Sequence, residues 1–207
     1  MRILKILIFF ISLTAFGQET QLSKAEVEVF QKEMAHQAEN LQTLMADFVQ
    51  SKHMQMMDEA AESKGKVYFR SPNILKWVYY NPYNYQILFK DHHLFINDEG
   101  HKSVTDTNAN KLFAKLVNLI SGSVNGKLLE DCDNFEISYY RLNGAVMARM
   151  VPKDENIAQM FDEIVLIFNG ENLVKIVKLK EESGDFTRIE FSNIRVNQEI
   201  APQVFEK

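Results

Sequence analysis

A single cysteine, Cys132, occurs in 207 residues, so no internal disulfide can form and a chain of this length must hold itself together by packing alone. Only four prolines and eight glycines are present, and no low-complexity tract, internal repeat or linker separates one part of the chain from another. Positive charge is the minority sign, 23 Lys and Arg against 28 Asp and Glu, which disfavours a polyanionic partner such as nucleic acid. Long apolar runs are also missing. The longest, Ile6 to Phe16, is too short to span a bilayer as a helix.

That apolar run sits behind Arg2 and Lys5 and ends with the small residues Ala15 and Gly17, the layout of a cleavable export signal. The expected organisation is a signal peptide over 1–17 and one domain over 18–207, with a mature chain that is soluble outside the cytoplasm. No cysteine follows the apolar core, so no lipid anchor is expected. Removing residues 1–17 takes two basic residues and leaves 21 against 28 acidic ones.

Apolar residues then recur every three or four positions from Ser23 to Phe48, through Val27, Phe30, Met34, Ala38, Leu41 and Met45, which predicts an amphipathic helix opened by a Ser23 and Glu26 capping box. From Lys64 the period becomes two. Val67 and Phe69, then Leu75, Trp77 and Tyr79, then Tyr85, Ile87 and Phe89 alternate with polar or amphipathic neighbours, with Asn81 and Pro82 as a turn. A hairpin is expected from His93 to Thr105 around Asp98, Glu99 and Gly100. A second amphipathic helix is expected over 108–121, with Leu112, Phe113, Leu116, Val117 and Ile120 on one face. Strands resume at 135–142, 145–151, 163–168, 173–181 and 186–196. About ten strands joined by short turns make a mainly β, α+β chain whose antiparallel sheet curls into a barrel or half barrel.

No chemistry-bearing motif stands out. Ser121 to Gly126 lacks the spacing of a nucleophile elbow, and no dinucleotide or phosphate loop is present. His92 and His93, taken as neighbours on a strand, would point to opposite faces, and His101 could face one of them across the hairpin; surface histidines are the better explanation than a metal site. Asp154 with Glu155, and Glu181, Glu182 and Asp185, are expected to be solvated turn residues. No enzyme, cofactor or metal is expected, and no catalytic residue is assigned.

One segment is specific enough to name a family. Pro72, Asn73 and Trp77 follow the Gly65 to Arg70 strand, and Phe48, Val49 and Gln50 precede it. Pro152, Lys153, Phe161, the strand 164–168, the run Gly184 to Thr187, Phe191, Asn193, Asn197 and Phe205 continue the layout. This resembles the LolA family of periplasmic lipoprotein carriers. The resemblance implies an unclosed antiparallel β-barrel whose helices cover an apolar cavity, and a non-enzymatic carrier located in the periplasm; a monomer is expected, although the sequence leaves the oligomeric state open. It implies lipoprotein acyl chains as cargo, an inner-membrane ABC lipoprotein-release transporter as donor and an outer-membrane acceptor. The alternative on the same fold is a carrier of another amphiphile, such as a glycolipid or aryl-polyene product, or an envelope lipoprotein sensor.

Strand alternation counted from Trp77 places Val67, Phe69, Leu75, Trp77, Tyr79, Tyr85, Ile87 and Phe89 on the lipid-binding concave face. Phe30, Met34, Ser71, Leu116 and Ile120 are the expected lid contacts. The family places an arginine directly before the proline to tether the lid; here Ser71 stands there and Arg70 comes one residue earlier, which turns Arg70 outward with Lys66 and Tyr68.

Overall fold

The capping box forms as the sequence predicts. The Ser23 hydroxyl accepts from the Glu26 backbone N–H at 3.4 Å while the Glu26 carboxylate accepts from the Ser23 N–H at 2.9 Å. In this computed structural model, which describes residues 19–106 and 127–206, that cap opens helix α1, Lys24–Asn40. Residues 1–17 and the helix expected over 108–121, with Leu116 and Ile120, lie outside the described residues. None of the helices among the described residues is long and apolar enough to cross a membrane.

Helix α1 is shorter than its period suggests. It stops at Asn40, and the chain turns at Leu41 into strand β2, Thr43–His53. Met45 and Phe48 therefore belong to a strand and not to the helix. The spacing 41, 45, 48 fits a helix, but residues 44 to 48 equally fit a strand with Leu44, Ala46 and Phe48 inward and Met45 and Asp47 less buried. Tertiary pairing on both sides of β2 decides in favour of the strand.

The remaining strands are β1, Thr20–Gln21; β3, Ala61–Arg70; β4, Ile74–Asn81; β5, Tyr85–Lys90; β6, His93–Asp98; β7, His101–Asp106; β8, Phe135–Leu142; β9, Ala145–Pro152; β10, Glu163–Phe168; β11, Val174–Lys180; and β12, Phe186–Val196. A short helix α2, Glu155–Ala158, is capped by the Asp154 carboxylate. Among the described residues twelve strands thus replace the ten expected, β1 and β2 being the additions. All pair antiparallel in the order β1-β8-β9-β10-β11-β12-β2-β3-β4-β5-β6-β7, and the sheet is not closed. A sheet this wide twists and curls, so one face becomes concave.

The hairpin histidines sit differently from the expectation. Asp91 and His92 form the β5–β6 turn with φ of 53° and 60°, so His92 is not a strand neighbour of His93. His101 pairs with Asp98 at the far end of the hairpin, whereas His93 pairs with Asp106. Among the described residues no group of three metal-binding side chains assembles.

The convex face is closed by the chain's end. Asn197 binds the α1–β2 corner four ways: its Oδ1 accepts from Gln42 N and Thr43 N, its Nδ2 donates to Asn40 O, and its backbone N–H donates to Thr43 O. Ile200 and Phe205 then pack on Leu88, with Met45, Tyr68, Ile74 and Phe95 around them. Arg70 is on this outer face, as the one-residue shift requires; its guanidinium donates to Ile200 O at 2.6 Å and stacks 4.5 Å over the Phe205 ring.

Asp47 holds an irregularity on the same face. Its carboxylate accepts from Lys66 Nζ and Asn193 Nδ2, each at 2.7 Å, and Asn193 has φ of 51° where the β12–β2 register shifts. The Lys66 hydrogen bond first, then that of Asn193, holds the Asp47 pKa below its ordinary value. A depressed carboxylate pKa contributes stability that is present above the unfolded-state value, about 3.9, and lost as pH falls through the folded one. Asp47→Asn is therefore expected to cost on the order of 1 kcal/mol at pH 7 and less at about pH 2, as the carboxylate protonates in the folded state. Urea unfolding of both proteins at the two pH values measures the difference; an equal cost at both rejects it.

Candidate functional site

The concave face is one continuous apolar wall. Val67 and Phe69 from β3, Leu75 and Trp77 from β4 and Phe89 from β5 are buried in a single cluster, with Tyr79 and Ile87 packed against it. The register explains their company: Val67 is opposite Trp77, Trp77 opposite Ile87, Phe69 opposite Leu75, Leu75 opposite Phe89 and Tyr79 opposite Tyr85. All eight residues expected on this face thus lie on the same side of three successive strands.

The other half of the wall comes from β8 to β12. Phe135, Tyr139, Ala148, Met150, Ile164, Leu166, Phe168, Val177 and Phe191 join the same cluster. These were not singled out from the sequence, although each alternates with a more exposed residue along its strand. Phe48 was hidden by its assignment to the helix. Its ring lies 4.6 Å from that of Trp77 and 5.1 Å from that of Tyr79, so it stands at the centre of the aromatic wall.

Helix α1 lies across the β8 to β11 half. Phe30 contacts Tyr139 and Phe168 edge-on at 5.9 and 5.1 Å, and Met34 and Ala38 are buried on the same stripe. Polar contacts flank that stripe: Glu26 pairs with Arg141 at 3.1 Å, Gln31 donates to the Tyr139 hydroxyl at 3.2 Å, and Asn172 donates to Glu33 at 2.8 Å. Phe30 and Met34, expected as lid contacts, are thus buried on the sheet-facing stripe of α1. Ser71, expected with them, meets this region through its backbone N–H, which donates to Gln42 O at 2.8 Å.

Polar atoms are few on this wall. Gln50 is opposite Ser63, and the Tyr79 hydroxyl donates to Gln50 Oε1 at 3.0 Å. Burial pushes the Tyr79 phenol well above its ordinary pKa, so it stays protonated and remains a donor. Burial also raises the Tyr139 phenol. Between Leu44, Ala46, Val174, Phe191 and Ile194 lies a void of about 10 Å³, which is smaller than a hydrocarbon chain, so an occupant entering there has to displace side chains.

This arrangement offers apolar shelter, and among the described residues no group of three metal-binding side chains assembles. Residues 39–207 match the family described as outer membrane lipoprotein carrier protein LolA. An outer-membrane lipoprotein carrier protein of Nitrosospira multiformis is 24% identical over 173 residues, covering 81% of this chain and 79% of the relative. One from Methylococcus capsulatus is 28% identical over 173 residues, covering 81% and 78%. Among solved structures, a chain of the Pseudomonas aeruginosa MucA/MucB complex is similar in fold, with a TM-score of 0.51 at 13% identity over 88% of this chain and 61% of that one. With a match that spans most of its length, the chain belongs to the LolA family of outer membrane lipoprotein carriers.

Proposed function

We propose that this protein shields the acyl chains of lipoproteins against its concave wall and carries them through the periplasm from the inner to the outer membrane. The observation that carries this is the unbroken apolar face, from Phe135 on β8 round to Phe89 on β5, on a sheet that is not closed and has an amphipathic helix over it. A hydrocarbon chain gains about 0.8 kcal/mol per methylene on leaving water, so such a wall supplies binding energy without nucleotide or catalyst. Transfer then runs down a gradient of affinity, from an inner-membrane ABC transporter to an outer-membrane acceptor. Residues 1–17 serve as the export signal, and the net acidic surface suits passage through an aqueous compartment.

Val67, Phe69, Leu75, Trp77, Tyr79, Tyr85, Ile87 and Phe89 form the cargo-binding face, and Phe30 and Met34 hold α1 over it. Mass spectrometry of material extracted from the protein purified from its own envelope tests the assignment. Acylated peptide is the expected result. Free glycolipid or pigment would move the cargo to another amphiphile, and depletion of the protein that leaves lipoproteins correctly placed in the outer membrane would reject the shuttle.

A further inference from the structure

One buried donor on the concave wall makes no well-formed hydrogen bond among the described residues. Trp77 is 6% exposed and its indole N–H is shut away from solvent without a hydrogen-bond partner. The Tyr79 hydroxyl oxygen, whose own proton goes to Gln50, lies near that N–H but outside hydrogen-bond geometry. An indole nitrogen can only donate, and leaving such a group buried and unpaired costs about 1–3 kcal/mol. Packing alone would be served as well by phenylalanine, which carries no such cost. The indole is also fixed in place, with Phe48 at 4.6 Å and Phe191 at 5.9 Å against its ring.

The surroundings define what would satisfy it. Lys66 and Lys76 alternate to the opposite face, where they meet Asp47 and the Glu206 carbonyl, so neither neutralises an anion at Trp77. A carboxylate brought here would be a buried charge without a counter-ion, whereas an uncharged carbonyl oxygen would only exchange water for the N–H. Gln50, whose oxygen accepts from the Tyr79 hydroxyl, carries two amide protons as further donors on the same wall.

We propose that the Trp77 indole N–H receives an uncharged acyl carbonyl of the cargo, so that the wall recognises ester- or amide-linked chains over free fatty acids and bare hydrocarbon. The proposal rests on the lipid-carrier function above and adds the linkage chemistry that the carrier selects.

Trp77 is the only tryptophan in the chain, so one indole resonance reports on the site without ambiguity. Two synthetic lipopeptides of equal chain length, one with ester-linked acyl chains and one with ether-linked alkyl chains, are titrated into the full protein and into Trp77→Phe. The ester probe is expected to bind the unaltered protein about tenfold more tightly than the ether probe and to shift the indole proton downfield, as the ether probe does not. Trp77→Phe is expected to bind both alike. Equal affinity for the two probes in the unaltered protein, an indole resonance that ignores the ester, or an ester preference that survives in Trp77→Phe overturns the proposal while leaving the carrier function intact. Failure of both probes to bind overturns the carrier function and the carbonyl site together.

Discussion

Gly65→Ala is expected to destabilise the protein by about 3 kcal/mol or more and to lower its melting temperature by roughly 6–12 °C. A Cβ at this position would stand 2.1 Å from the Val78 carbonyl oxygen and 2.3 Å from Phe48 Cζ. The carbonyl belongs to the β3–β4 pairing, at the point where the register shifts between Lys64 and Gly65, and it cannot retreat without breaking that ladder. Phe48 cannot retreat either, because Trp77 and Tyr79 lie against it. Glycine is thus required by close approach and not by a left-handed backbone. Gly170→Ala is the matched control: nothing lies within 4 Å of its Cβ position, and the change there should stay within about 0.5 kcal/mol. Thermal unfolding followed by circular dichroism measures both, and a Gly65→Ala protein that melts with the parent would refute the packing of Phe48 over this residue.

The same glycine shows where sequence reading stops. Gly65 marks the head of a strand in the sequence, but the ring that lies over it comes from β2, which the helical spacing of Leu41, Met45 and Phe48 disguises. By contrast, the eight concave-face residues are legible because alternation is a local property. The Asn81 and Pro82 turn keeps the count in phase, with Tyr79 opposite Tyr85 and Trp77 opposite Ile87. Arg70 is legible for the same reason, one residue out of step with the family's arginine and so on the convex face, although nothing local reveals Ile200 and Phe205 as its partners.

Pairings between distant segments are the hidden part. Strand β12 lies beside β2, with Phe191 opposite Phe48, and this contact joins the two halves of the wall across more than half the chain. No nearby turn announces it. The unpaired indole N–H is hidden too, since a tryptophan on an alternating strand reads as an ordinary core residue until its neighbours are known.

Locking α1 to the sheet is expected to abolish loading of cargo. In a Cys132→Ser background, which removes the exposed native thiol, Glu33→Cys and Asn172→Cys are joined by a short cross-linker that reducing agent cleaves. The native side chains at these positions meet at 2.8 Å, so the link preserves the existing geometry. The magnitudes favour α1 as the part that moves. Its exposed polar contacts contribute at most about 1 kcal/mol each, and burial of Phe30 and Met34 contributes about 2 kcal/mol each, so lifting it costs several kcal/mol. One long acyl chain transferred from water onto the wall returns roughly 10 kcal/mol, enough to displace the helix, while an empty protein keeps it down. The cross-linked protein is therefore expected to bind a fluorescent lipopeptide at least tenfold more weakly than the same protein after reduction, with each single-cysteine variant binding normally. Undiminished binding by the cross-linked form would remove α1 from the loading path and require cargo to enter where the sheet is not closed, between β1 and β7.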